Sequence, residues 1–345
     1  MITPSQRFAL IKRHGPLCRS YRGPADWSPF SLGDAPVALL GERSKPLLAM
    51  KAVPSLTAET MALQRSFESH RPKGRRLFCD PYADAFLRPS LRALATASAI
   101  PGLRRLAVGL YDAVGGPGPR PSAIVRTKVI DDAIAEATTD GTQCVLLGAG
   151  YDTRAYRLPA LKDHRVFEVD HPITQTAKHL VVDRLGLDDR HVTYVPIDFE
   201  HDRLADSLLS AGFDPLVRST FVWEGVTNYL TGEAIDATLG VVHDLTTGGG
   251  VLILTYIDAR ALTDPTPFPE ARRWVRAVTR AEEPWTFGLN PADASQYFAE
   301  RGLLLRQDDS TLDAGRAWLT AQGRSEHGSG LYRIAVLEPE HGDRD

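Results

Sequence analysis

The stretch CVLLGAGYDTRAYRL, residues 144–158, decides the fold because it joins an apolar run to a glycine turn. Four consecutive apolar residues are typical of a buried strand. Gly148 and Gly150, with Ala149 between them, let the backbone turn and approach a ligand that a Cβ atom would push away. Such a turn also suits a plain tight connection, and the complete GxGxxG motif of dinucleotide sites is absent.

The chain that follows alternates strand-like and helix-like stretches, which predicts βαβ units around a parallel sheet. Helical connections are predicted at about 172–186, 201–211 and 231–246. We predict a doubly wound α/β sheet from the following strands: 143–150, 164–170, 191–199, 219–226 and 250–258, with two more at 302–309 and 330–338.

The N-terminal third has a different character. Residues 1–55 are rich in proline and have more basic than acidic residues, which predicts a loosely ordered extension. Residues 56–122 are predicted to form a helical cap, with Thr57 as an N-cap candidate, a helix starting in DPYADAFL, and two short helices in 91–115. The core then spans 123–345, with a cap insertion at about 258–290 and a helix capped by Asn290.

Composition excludes several classes of function. The chain has 345 residues, with 40 Lys and Arg against 43 Asp and Glu, so no basic excess favours nucleic acid. No apolar run is long enough to span a membrane, and the three cysteines are scattered, without the spacing of metal ligands. We therefore expect a cytoplasmic protein with a small-molecule substrate, no metal site, no nucleic-acid or membrane partner, and an oligomeric state left open.

Two aspartates follow predicted strands. Asp170 ends the second strand about 20 residues after the glycines, where a carboxylate can accept hydrogen bonds from both hydroxyls of a ribose. Asp198 ends the third strand, where it can accept from an adenine amino group while the region of Phe199 contacts the ring. A nucleoside-bearing ligand is expected, and both NAD and S-adenosylmethionine qualify.

The sequence resembles a known family over about residues 57–340. The segments AIVRTKVIDDAI, VLLGAGYDTRAYRL, VFEVDHP, VPIDF and FVWEGVTNYLTGEAI together resemble the leucine carboxyl methyltransferase-like group of S-adenosylmethionine-dependent methyltransferases, which includes bacterial enzymes acting on small metabolites and polyketides. The resemblance implies a Rossmann-like class I methyltransferase sheet, mostly parallel with an antiparallel last strand. The lysine that protein-modifying members place in the N-terminal helix has no clear counterpart near Gln64 and Arg65.

The resemblance also implies roles for individual residues around S-adenosylmethionine. Arg126 would bind the methionine carboxylate, and the turn from Gly148 to Gly150 would lie alongside the methionine part of the cofactor. Asp170 would hold the ribose, Asp198 and Phe199 the adenine, and Glu224 the amino group or the methyl path. A carboxylate such as Glu224, placed after the buried run FVW, needs a partner in any case.

Methyl transfer is an in-line displacement, so the protein mainly aligns the acceptor oxygen and excludes water. A carboxylate acceptor needs no base, whereas a phenol or enol needs help, for which His171, Tyr229 and Tyr256 are candidates. Aromatic residues of the insertion could line a cap over an aromatic substrate or simply pack it. They are Trp274, Trp285 and Phe287.

We therefore expect an S-adenosylmethionine-dependent O-methyltransferase that acts on a carboxyl or hydroxyl group of a small molecule, such as a polyketide or another secondary metabolite. Within the same class, a protein C-terminal carboxyl methyltransferase is the alternative. Two alternatives from other classes are an NAD-dependent oxidoreductase, which would use the same glycines and Asp170, and a protein that binds the cofactor without turnover.

Overall fold

A computed structural model describes residues 56–115, 118–198, 202–280 and 284–340. The predicted extension, residues 1–55, lies outside the described residues, as does Phe199.

A seven-stranded sheet forms the centre of the fold, in the order β3-β2-β1-β4-β5-β7-β6. Neighbouring strands pair in parallel from β3 through to β5, whereas β7 runs antiparallel to both β5 and β6. The doubly wound, mostly parallel sheet predicted from the sequence is confirmed. The strands are β1 Gln143–Leu147, β2 Arg165–Asp170, β3 Val192–Pro196, β4 Ser219–Trp223, β5 Gly250–Ile257, β6 Leu303–Ser310 and β7 Tyr332–Pro339.

Twelve α-helices occur in the described part of the chain. They are α1 Leu56–Ser69, α2 Pro89–Ala99, α3 Arg104–Gly115, α4 Pro119–Ala137, α5 Arg154–Arg157, α6 Pro172–Leu185, α7 Leu204–Ser210, α8 Gly232–Leu245, α9 Arg260–Thr263, α10 Ala271–Arg280, α11 Ala294–Ala299 and α12 Thr311–Ala321.

Both faces of the sheet are covered because side chains alternate along each strand. Leu147 of β1 faces the layer formed by α7, α8 and α11, and Leu146 faces the layer formed by α4 and α12. The strand order reverses between β1 and β4, which lie side by side. Ligands of such sheets bind at the carboxyl ends of the strands at this point, where Gly148 lies.

Several local predictions are wrong. Thr57 does not cap α1, which begins one residue earlier, and DPYADAFL forms only the 3-10 turn Ala83–Phe86. Asn290 does not cap a helix directly: its Oδ1 accepts the Ala292 N–H at 3.3 Å in a turn that precedes α11. The sequence analysis missed α12, although Ser310 caps it by accepting the Asp313 N–H at 3.0 Å.

The predicted boundary between the helical cap and the core, at residue 122, falls inside α4. The division into cap and core stays a prediction.

A buried ion pair joins β2 to α6. Nζ of Lys178 lies 2.7 Å from Oε2 of Glu168, and both side chains are 1% exposed. Burial raises the pKa of Glu168 to about 7, although the Lys178 ammonium opposes that rise. Each charge therefore depends on the other, because neither can reach water.

Replacing Lys178 by methionine should destabilise the fold by about 3–5 kcal/mol at pH 8, because the buried Glu168 must then either stay charged without its partner or take up a proton. Burial makes the folded carboxyl bind a proton more readily than the unfolded one, so the loss should shrink as the pH falls from 8 towards 5. Denaturant unfolding at the two pH values measures both effects.

The matched control is the double variant Glu168→Leu/Lys178→Met, which removes both charges and should recover most of the loss at pH 8. An equal loss at pH 5 and pH 8 in the single variant would contradict this account.

Candidate functional site

The glycine turn that follows β1 depends on the absence of side chains. Gly148 and Gly150 have φ values of 67° and 46°, in the left-handed region. A Cβ atom on Gly148 would lie 2.5 Å from Cγ2 of Val226. The N–H groups of Gly148 and Ala149 donate to the Val169 carbonyl at 2.8 and 3.0 Å, which fixes the turn against β2.

The carboxylate of Asp170 lies against this turn. Its Oδ2 accepts the Gly150 N–H, and its Oδ1 accepts the His171 N–H at 2.6 Å. Burial raises the pKa of Asp170, while the two backbone hydrogen bonds oppose that rise. A carboxylate has about four lone-pair positions, so its two oxygens can accept further hydrogen bonds.

Asp198 lies beside Asp170 at the same edge of the sheet. The Ile197 N–H donates to the Asp170 carbonyl at 2.9 Å, which places the end of β3 next to the end of β2. The side chain of Asp202 accepts the Asp198 N–H at 2.8 Å and so shapes the turn. Asp170 is the last residue of β2, as predicted, and Asp198 lies two residues after β3; their roles towards a ligand stay predictions.

Glu224, directly after β4, bridges two arginines. Its Oε1 lies 2.6 Å from Nε of Arg126 on α4, and its Oε2 lies 2.5 Å from Nη1 of Arg154 on α5. The Glu224 side chain is only 14% exposed, and the two guanidinium groups lower its pKa against the effect of burial. The partner that the sequence analysis required for this carboxylate is therefore a pair of arginines.

The ion-pair network continues beyond Arg154. This side chain also pairs with Asp131 at 2.7 Å and with Asp152 at 2.6 Å, and Arg157 pairs with Asp131 at 2.6 Å. Nearby opposite charges lower the pKa of Asp152 far below its usual range. The segment DTRAYR thus ties the glycine turn to α4 and β4, a role that no local pattern in the sequence could reveal.

Helix α1 lies over the glycine turn. Sδ of Met61 accepts a hydrogen bond from Nη2 of Arg126 at 3.1 Å, and Nη2 of Arg65 donates to the Tyr151 carbonyl at 2.5 Å. Arg65 is itself held by Asp80 at 2.8 Å. Within the described residues, Nη1 of Arg126 has no hydrogen-bond partner.

The three candidate bases have different positions. Tyr229 lies in the 3-10 turn Thr227–Tyr229, five residues after Glu224, and is half-buried. Nδ1 of His171 accepts the Ile173 N–H at 3.3 Å and so caps α6. The hydroxyl of Tyr256 donates to Asp308 on β6 at 2.7 Å. Tyr229 thus follows Glu224 closely in the chain, Nδ1 of His171 serves as a cap, and the Tyr256 hydroxyl is bonded to Asp308. The role of these residues as bases stays a prediction.

A profile of the leucine carboxyl methyltransferase family matches residues 58–243, more than half of the chain. The chain belongs to this family. A Frankia alni protein assigned as an S-adenosyl-L-methionine-dependent methyltransferase is 38% identical over 208 residues, covering 58% of this chain and 68% of its own. A Streptomyces coelicolor protein with the same assignment is 31% identical over 268 residues, covering 74% of this chain and 89% of its own.

A crystal structure of a methyltransferase from Thermobifida fusca shares the fold, with a TM-score of 0.51. Its sequence is 16% identical, and the alignment covers 84% of this chain and 96% of that one.

This leucine carboxyl methyltransferase family member is an S-adenosylmethionine-dependent methyltransferase, and S-adenosylmethionine is its cofactor. Family membership overturns the two alternatives from other classes, the NAD-dependent oxidoreductase and the binding protein without turnover. Among the described helices, none combines the length and apolar character needed to span a lipid bilayer.

Proposed function

We propose that this methyltransferase transfers the methyl group to an oxygen atom of a small molecule, at a hydroxyl or carboxyl group. The observation that carries the proposal is a pair of aromatic rings beside Arg126. The Tyr332 ring centroid lies 4.8 Å from the Arg126 guanidinium carbon and 6.4 Å from the Trp285 ring centroid. Tyr332 is only 8% exposed, and aromatic surroundings of this kind favour a small apolar acceptor.

The alternative, methylation of a protein C-terminal carboxylate, is supported by the family's own description. The aromatic rings beside Arg126 favour the small molecule instead. A peptide would have to bury polar backbone groups beside Tyr332 and Trp285, and each such group without a hydrogen-bond partner costs free energy.

The residues of the site fit S-adenosylmethionine. The cofactor supplies the methyl group, held on a sulfonium sulfur. In our proposal, the free Nη1 of Arg126 binds the methionine carboxylate, and Glu224 receives the ammonium group. The side chains of Asp170 and Asp198 accept hydrogen bonds from the ribose and the adenine. Phe199, proposed to contact the adenine, lies outside the described residues.

The protein's part in the reaction is to align the acceptor oxygen and keep water away. Tyr229, in the turn that follows Glu224, is the candidate side chain for contact with the acceptor hydroxyl. His171 and Tyr256 have no part in the proposed mechanism, because one caps α6 and the other pairs with Asp308.

Replacing Asp170 by alanine should weaken binding of S-adenosylhomocysteine by about 1–3 kcal/mol, because charge-assisted hydrogen bonds to the ribose are lost. Titration calorimetry measures the change. Asp188→Ala, which removes an exposed aspartate paired with Arg190, is the matched control and should leave the affinity unchanged.

The substitution also removes the acceptor of the Gly150 N–H, so a second comparison isolates the ribose. Asp170→Ala should reduce adenosine binding more than 2′,3′-dideoxyadenosine binding. Equal losses for the two nucleosides would assign Asp170 to the turn rather than to the ribose.

Replacing Arg126 by lysine should lower the affinity for S-adenosylhomocysteine about tenfold or more, equivalent to about 1.4 kcal/mol, because an ammonium lacks the planar fork. Adenosine, which has no carboxylate, should bind almost as before. If both ligands lost affinity equally, the substitution would have disturbed the Glu224 network instead, and Arg126 would leave the proposed site.

The proposed function is tested with radiolabelled S-adenosylmethionine and two sets of acceptors, hydroxylated or carboxylated aromatic compounds and peptides with a C-terminal leucine. We expect label in the small molecules and none in the peptides. Alkali treatment separates the products, because methyl esters release methanol and methyl ethers do not. Labelling confined to the peptides would overturn the proposal in favour of protein carboxyl methylation.

A further inference from the structure

Three buried N–H donors around Tyr332 have no hydrogen-bond partner within the described residues. They are the amide Nδ2 of Asn228 and the indole Nε1 atoms of Trp274 and Trp285. Asn228 is 1% exposed, Trp274 is 6% exposed, and Trp285 is half-buried. A buried donor without an acceptor retains the full cost of leaving water, so such groups are rare in folded chains.

These residues form one group, which we call the donor cluster: Asn228, Trp274, Trp285 and Tyr332. The Tyr332 hydroxyl donates to Oδ1 of Asn228 at 3.4 Å, and Tyr332 contacts Trp285 edge to face. Trp274 packs in the same apolar cluster as Tyr332. Because the Tyr332 ring also lies against Arg126, the donor cluster borders the proposed cofactor site.

The insertion is attached to this cluster through Asn228. The Thr286 N–H donates to the Asn228 carbonyl at 2.8 Å, and the Thr286 hydroxyl donates to the Leu230 carbonyl at 2.8 Å. Trp285 is therefore held next to Asn228 by the backbone. Trp285 is half-buried and lies at the outer side of the cluster, although its Nε1 atom is turned away from solvent.

The chemistry of the donor cluster is one-sided. Its unpartnered atoms are all uncharged donors, and Oδ1 of Asn228 accepts the Tyr332 hydroxyl. The charge of the adjoining Arg126 is balanced by Glu224. A complementary ligand supplies acceptor oxygens without a full negative charge, because a carboxylate would be buried here without a counter-ion. The rings around these donors favour a planar aromatic skeleton.

We propose that the methyl acceptor is a planar hydroxylated aromatic ketone or quinone, whose carbonyl oxygens accept hydrogen bonds from donors of this cluster, with Asn228 as the principal donor. The inference rests on the proposed function and narrows it to the hydroxyl acceptor. The hydroxyl oxygen forms a bond to the methyl carbon as the carbon–sulfur bond breaks, and its proton passes to solvent. The products are an aryl methyl ether and S-adenosylhomocysteine.

Three naphthalenes that differ in one substituent test the inference. They are 1-hydroxy-2-acetonaphthone, with a ketone; 2-ethyl-1-naphthol, without the carbonyl; and 1-hydroxy-2-naphthoate, with a carboxylate. Calorimetry on the full chain saturated with S-adenosylhomocysteine should show the ketone binding at least tenfold more tightly than the other two. Absence of that preference in the unaltered protein would overturn the inference.

Asn228→Leu keeps the approximate side-chain volume and removes the amide. In this variant the affinity for the ketone should fall to that for the ethyl compound, and the affinity for the ethyl compound should change less than twofold. Trp285→Phe removes an indole N–H and should reduce the preference in the same direction. Trp318→Phe, on α12 and in contact with Lys128, is the matched control and should keep the tenfold preference.

A full preference retained in both Asn228→Leu and Trp285→Phe would also overturn the inference. Two results distinguish failure of this inference from failure of the proposed function. Normal S-adenosylhomocysteine affinity without a preference for the ketone rejects only the role of the donor cluster. Labelling of peptides alone in the acceptor assay rejects the proposed function. If a variant does not fold, the three-ligand comparison on the unaltered protein decides the question.

Discussion

The site depends on the ion pairs that the Glu224 carboxylate makes with two arginines. This carboxylate lies between the guanidinium groups of Arg126 and Arg154, and so joins the end of β4 to α4 and to the turn after β1. None of these three charges could stay buried alone at an acceptable cost. Because each is compensated, the sheet edge keeps rigid, correctly oriented polar groups where a parallel sheet binds its ligand.

The sequence was informative wherever one local pattern determined the outcome. The apolar run before Gly148 predicted a buried strand. Asp170 and Asp198, at the ends of two predicted parallel strands, predicted carboxylates along one edge of the sheet, because parallel strands end at the same edge. The same reasoning could not show the partner of Tyr256. Its hydroxyl donates to Asp308 on β6, two strands away in the sheet, and no local pattern shows that contact.

Local sequence patterns also could not predict the contacts within the site, because these contacts join residues far apart in the chain. Arg126 and Glu224 are 98 positions apart, and only the completed sheet brings them together. Residue type could say that Glu224 needs a partner, since burial of a lone carboxylate is costly, but it could not choose among the arginines. The missed helix α12 is different, since its Ser310 cap was visible in the sequence and the gap between the last two predicted strands was long enough to hold a helix.

The position of β7 also has a consequence for synthesis on the ribosome. Among the described strands, β6 pairs only with β7, and β5 keeps one open edge until β7 arrives. A nascent chain that has β5 and β6 but lacks β7 therefore exposes the open edge of β5 and an unpaired β6, and exposed edges invite pairing with other chains. Tyr332, the first residue of β7, brings the ring that covers Arg126. Because one strand does both, the sheet cannot close on that side without bringing Tyr332 to Arg126.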